Sequence, residues 1–135
     1  PNLFLIGTMN TADRSLAMVD YALRRRFVFY DLAPAFGSAE FAAYLRERGA
    51  SDSIISLIVG KMEALNKRIE EDSSNLGPGY RIGHSFFCPQ DGDIELDSRW
   101  YRQIIGTEIG PIVREYWFDN PREAQAIIDE LLQGA

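Results

Sequence analysis

Two uninterrupted apolar runs constrain this chain more than any other feature: "LFLIGTM" at residues 3–9 and "FVFYDL" at residues 27–32. Runs without polar alternation suit strands covered on both faces, as in a parallel sheet flanked by helices. Between them, "SLAMVDYALRRR" sets Leu16, Val19, Ala22 and Leu23 at helical spacing. Strand, helix and strand in so short a span predict a parallel βαβ crossover.

Beyond "APAF" the pattern changes to helices. Ser38 to Arg48 reads as one helix, and Asp52 to Ile69 as a longer one whose apolar positions are Ile54, Ile55, Leu57, Ile58, Met62, Leu65 and Ile69. "NLGPGYRIG" is read as irregular, because Gly77, Pro78, Gly79 and Gly83 break any periodicity. "HSFFCPQDGDIELD" is a short apolar piece and then a polar turn. Asp97 is expected to start a helix running through Ile105. Thr107 to Trp117 is expected to form another, interrupted at Gly110 and Pro111. Pro121 opens a last helix ending at Leu132. The expected fold class is therefore α/β and then mostly α. The division falls into residues 1–32, an α/β piece, and residues 33–135, a helical piece.

Composition bounds the chemistry. Hydrophobic residues make up 46% of the 135, enough for a core. The formal net charge is −6, which argues against a generic binder of nucleic-acid backbone. The exception is the local run Arg24-Arg25-Arg26. One cysteine, Cys88, allows no internal disulfide and fits a reducing cytoplasm. No apolar run approaches 18 residues, so no membrane span is expected. The start at Pro1 and the end in "QGA" read as those of a fragment of a longer protein.

The chemistry-bearing residues gather just past the first run, in "GTMNTADRS". A polar side chain beyond the C-terminal end of a parallel strand faces the crevice where α/β sheets bind ligands. Asn10 can donate and accept, and so can hold a water or touch a phosphate oxygen. Asp13 can orient an arginine or cap a helix, and both residues are also ordinary turn formers. Arg24, Arg25 and Arg26 sit where cations complement a helix dipole. Successive helical residues step by about 100°, so the three cannot share one task. Arginine is also the residue that stabilises charge on a transferring phosphoryl group. His84, beside Phe86 and Phe87, reads first as a packed, hydrogen-bonded residue. Trp100, Tyr101, Tyr116, Trp117 and Phe118 read as core or subunit interface rather than as a stacking platform for nucleic acid. Cys88 has no nearby base in sequence and is read as inert, and one His with one Cys does not make a zinc site.

These residues carry a resemblance. "GTMNTADRSLAMVDYALRRRF" resembles the sensor-1 and arginine-finger segment of AAA+ P-loop NTPases. More narrowly it resembles the McrB family, the GTP-hydrolysing motor subunit of modified-cytosine-dependent restriction systems. "IGHSFF" and "IGPIVREYWFD" are similar to that family's lid. The resemblance implies the C-terminal part of an AAA+ core over residues 1–32 and a helical lid subdomain over 33–135. It implies that Asn10 is sensor 1, positioning the attacking water and sensing the γ-phosphate, with Asp13 part of the same switch. It implies an arginine finger acting on the neighbouring subunit's nucleotide, at Arg26 first and Arg25 second, with Arg24 structural. The lid's contacts to nucleotide fall on His84 and Arg81. The cofactor implied is GTP or ATP with Mg, whose ligands lie mostly outside these residues. The implied partners are a hexamer-like homo-oligomeric ring, a separate nuclease subunit, and DNA held by another domain.

One departure bears on activity. The chain has no glycine-rich loop ending in Gly-Lys-Ser/Thr, since lysine occurs only at positions 61 and 67. The acidic metal-binding motif is missing too, so these 135 residues alone are expected to be inactive. Two other readings remain at this stage: an ATP-dependent AAA+ chaperone or remodelling protein, and a catalytically dead helical adaptor.

Overall fold

The structure, a computed structural model, describes residues 2–9, 25–90 and 94–135. Among the described residues there are five α-helices: α1 (Ala39–Glu47), α2 (Asp52–Glu71), α3 (Ser98–Ile104), α4 (Gly110–Tyr116) and α5 (Pro121–Leu132). Two short 3₁₀ turns, Pro78–Tyr80 and His84–Phe87, lie between α2 and α3.

Each long helix starts where a side chain satisfies the orphan amides of its first turn. Ser38 accepts from the Phe41 amide, Ser51 from Ile54, Asp97 from Trp100 and Asn120 from Glu123. The Trp100 amide is the main reason the Asp97 carboxyl sits below the usual carboxylate range. The boundaries expected from sequence for α1, α2 and α5 agree with these within a residue or two.

The core lies in the helical part. Among the described residues, every buried hydrophobic lies at Phe36 or beyond it. α2 contributes Ile54, Ile55, Ile58, Met62, Leu65 and Ile69, as its spacing predicts, while Leu57 is only half-buried. Tyr101 is fully buried, and its hydroxyl donates to the Leu131 carbonyl at 2.9 Å, tying α3 to α5. Burial raises its pKa well above that of free tyrosine, so the hydroxyl remains a donor. Trp100 and Trp117 are buried too, as the core reading requires, whereas Phe118 is 79% exposed.

One expectation needs correction. Residues 98–116 form one continuous helix, not two, because a π-turn at Ile105–Ile109 joins α3 to α4. Pro111 lacks an amide hydrogen and its ring presses on the carbonyl four residues back. A widened turn is one of the ways a helix absorbs such a break. Gly110 fits this turn because an added Cβ would stand 2.9 Å from the Ile105 carbonyl oxygen. Gly110→Ala is expected to lower stability by about 1–3 kcal/mol, read as a lower urea midpoint. An unchanged midpoint would show that the turn can relax.

The α/β core expected from the two apolar runs is not shown among the described residues. Neither forms a strand among the described residues. Leu3 to Ile6 are 71% to 96% exposed, and Val28, Tyr30 and Leu32 are exposed as well. A parallel strand takes its ladder hydrogen bonds and its cover from neighbouring strands and helices, and the described residues place none against these runs. Most of the amphipathic segment expected over residues 15–26 lies outside the described residues, and its last two, Arg25 and Arg26, form a turn.

One polar residue is built into the core. Asn66, on the buried face of α2, is 7% exposed. Its amide donates to the Ile82 carbonyl at 2.9 Å and its oxygen accepts from the Ile82 amide at 2.7 Å. The side chain thus acts as a strand-like partner for one loop residue and pins residues 81–83 to α2. Asn66→Ala would orphan two buried backbone groups at about 1–3 kcal/mol each. A loss of about 3 kcal/mol or more is expected in thermal or urea unfolding, and a loss below about 1 kcal/mol would mean that water replaces the amide.

Candidate functional site

The residues expected to carry function fall into three groups. Asn10 and Asp13 lie outside the described residues. Arg25 and Arg26 form a turn, are exposed, and make no ion pair among the described residues. Arg81 and His84 lie on the loop that Asn66 pins, on either side of Ile82 and Gly83. No contact among the described residues joins the arginine turn to this loop.

The loop is built from α2 outward. Gly77 ends the connection after α2 at φ +109°, a left-handed conformation that favours glycine. The 3₁₀ turn Pro78–Tyr80 follows, with Tyr80 packed edge-on to Tyr116 of α4 at 5.5 Å. The Arg81 guanidinium then donates to the Pro78 carbonyl at 3.0 Å and pairs with Glu70 at 3.1 Å. Arg81 is therefore engaged within the loop's own surface, and contact with a ligand requires it to leave Glu70.

His84 is engaged differently. Its Nδ1 accepts from the Ala35 amide at 3.1 Å, across 49 residues of sequence. A backbone amide is always the donor, so the proton of the neutral ring resides on Nε2, which stays available to donate. The ring also stands edge-on to Phe36 at 6.3 Å and to Phe41 at 5.8 Å. The reading of His84 as a packed, hydrogen-bonded residue agrees with this geometry. Cys88 donates its thiol to the His84 carbonyl at 3.4 Å. Burial pushes that thiol upward, and Arg48 offsets this only in part, so thiolate chemistry is disfavoured.

Between the linker and α2 runs a shallow groove of about 160 Å³, walled by Pro34 and Phe36 on one side and Glu63, Lys67 and Arg81 on the other. Glu70 also borders it, so its carboxylates face its cations. Such a groove can hydrogen-bond a neutral polar ring but offers no surplus charge for a phosphate. Arg25 and Arg26 of the arginine turn make no ion pair among the described residues. Among the described residues, no group of three His, Cys, Asp or Glu is placed to hold a metal ion. No described helix is long and apolar enough to cross a membrane.

Sequence reading missed Asn66 and the linker. Asn66 stood at a visible position, four residues after Met62 and three before Ile69, on the face that had to be buried. The bond between His84 and Ala35 had no local signal.

Among the described residues, fold and loop together make a helical domain with one polar loop pinned to α2. Residues 58–125 match the family described as "McrB, alpha-helical lid domain". The chain belongs to the McrB family. It is similar over nearly its whole length to the "Type IV methyl-directed restriction enzyme EcoKMcrB subunit" of Escherichia coli (strain K12), at 45% identity over 133 residues. That alignment covers 97% of this chain and 29% of the relative's length.

Proposed function

We propose that this chain is the lid and adjoining arginine-finger segment of a nucleotide-hydrolysing AAA+ motor, using GTP, in a restriction system directed at methylated DNA. The observation that carries the reading is the extent of the similarity. The 45% identity runs over 133 residues and so takes in "MNTADRS" and "ALRRRF" as well as the helical lid. A lid kept only as a scaffold would not need that polar signature. Residues 1–32 are proposed to complete a parallel α/β core whose other strands lie outside this chain. That supplies the cover that Leu3 to Ile6 and Val28 to Leu32 lack among the described residues.

In this reading Asn10 holds the attacking water against the γ-phosphate, and Asp13 belongs to the same switch. Arg26, with Arg25 as the second candidate, extends to nucleotide bound by the neighbouring subunit of a hexamer-like ring. The exposed, unpaired state of the arginine turn among the described residues suits that role. The lid contributes the Nε2 donor of His84 and, once freed from Glu70, the Arg81 guanidinium. GTP with Mg supplies the bond to be cleaved. The phosphate-cradling loop and the metal's acidic ligands come from outside these 135 residues, which are therefore inactive alone. DNA is held by another domain, cutting belongs to a separate nuclease subunit, and the assembly works in the cytoplasm.

The test is hydrolysis of GTP and of ATP by the intact polypeptide that carries this segment. Turnover of GTP well above ATP is the expected result. Preference for ATP would point to a remodelling ATPase, and no turnover of either would leave a helical adaptor.

A further inference from the structure

We propose that His84 is a positioning residue: its neutral imidazole pins the linker, residues 33–37, to the lid and so couples lid position to the finger-bearing segment. The effect on hydrolysis rests on the motor reading, whereas the pin itself does not.

Three observations meet at this corner. The linker is held at Ala35 from both sides of its peptide chain. The Ala35 amide donates to His84 Nδ1 at 3.1 Å, and the Ala35 carbonyl accepts from the Ser38 amide at 3.1 Å, just where Ser38 caps α1. The lid loop is held in turn, since Asn66 fixes Ile82 two residues before His84. Phe36, 2% exposed, then locks the register by packing edge-on against His84, Phe41 and Phe87. A segment tied by its backbone to one ring nitrogen transmits a change in that nitrogen. Upstream of Ala35, the described residues include the arginine turn and no buried side chain, so this bond is the first tertiary tether among the described residues.

Two substitutions separate this role from nucleotide contact. Asparagine places its Oδ1 where Nδ1 stands, keeps the acceptor, and has no Nε2 donor. Glutamine carries its amide one carbon further out and misses Ala35. The first measurement is amide hydrogen exchange at Ala35 in this chain, for wild type, His84→Asn and His84→Gln, with urea unfolding to show that each variant is folded. Ala35 is expected to stay protected in His84→Asn and to lose about three- to tenfold protection in His84→Gln. The second measurement is GTP hydrolysis by the intact ring: both variants lack the Nε2 donor, so a loss in His84→Gln beyond that in His84→Asn reads the coupling. Equal protection of Ala35 in both variants would overturn the pin. Equal loss of hydrolysis in both, with protection retained only in His84→Asn, would assign His84 to the nucleotide and overturn the coupling. An intact wild-type ring that hydrolyses nothing would sink the motor reading, and the exchange data would then decide the pin by themselves.

Discussion

Arg26→Ala in the intact ring is expected to leave nucleotide affinity nearly unchanged and to cut hydrolysis by about 10³- to 10⁵-fold, the range typical of a lost arginine finger. The reasoning begins with charge. A phosphoryl group in transfer spreads negative charge over its equatorial oxygens, and a guanidinium can meet two of them at once. The groove beside the linker cannot provide this, because Arg81 is paired with Glu70 and Glu63 lies on the same wall. The arginine turn can, since Arg25 and Arg26 are exposed and make no ion pair among the described residues. Arg26 is favoured because it stands directly before Phe27, as the finger stands directly before an aromatic residue in the AAA+ pattern that the segment resembles. Arg25→Ala should cost clearly less. In the proposed ring, binding is spared because the finger would reach nucleotide held by the neighbour. That geometry has a signature in mixed rings. Subunits carrying Arg26→Ala, combined with subunits whose phosphate loop is broken, should recover turnover that each lacks alone. Normal turnover in Arg26→Ala would refute the assignment, and full loss in Arg25→Ala with little loss in Arg26→Ala would exchange the two.

The parts of this molecule legible from sequence are those decided locally. Ser38 and Asp97 announce helix starts because a short oxygen-bearing side chain satisfies amides two or three residues ahead, whatever surrounds it. The buried stripe of α2 is legible because its period is that of the helix itself. The continuous helix through Gly110 and Pro111 was not legible. Both residues are breakers on local grounds, and the π-turn that absorbs them is set in a packed neighbourhood where Ile105, Ile109 and Val113 are all fully buried. The strands expected at residues 3–9 and 27–32 illustrate the opposite case. An apolar run records that a segment needs cover, not that the cover is present, and here Ile6 and Val28 are almost wholly exposed. As for the site, the arginine turn and His84 were visible as residues. The Ala35 tether was not, because a backbone amide carries no identity in a sequence and its partner lies 49 positions away. Asn10 and Asp13, the most legible pair of all, fall outside the described residues.

Phe87→Ala is expected to be the most damaging single truncation in the lid, at about 3–5 kcal/mol. Phe87 is fully buried at the end of the 3₁₀ turn His84–Phe87. It stacks on Tyr101 at 6.0 Å, meets Trp100 edge-on at 5.9 Å, and meets Phe36 of the linker at 6.1 Å. Those three partners come from α3 and from the linker, so the ring is where the lid loop, the helical core and the incoming chain share one contact. Removing it leaves a cavity whose walls cannot easily close. Tyr101 is held by its bond to Leu131, and the loop itself is held by Asn66. Domains of this size are stable by about 5–15 kcal/mol in total, so the loss is a large share of what keeps the lid folded. Phe118→Ala is the control: that ring is 79% exposed, and the expected change is within about 0.5 kcal/mol. Urea unfolding of both variants, with the slope checked against wild type, reads the comparison. A Phe87→Ala loss below about 1 kcal/mol would mean that the aromatic cluster repacks around the gap. In that case the edge contacts to Phe36 would not be what sets the linker's register, leaving the His84 bond to Ala35 to carry it alone.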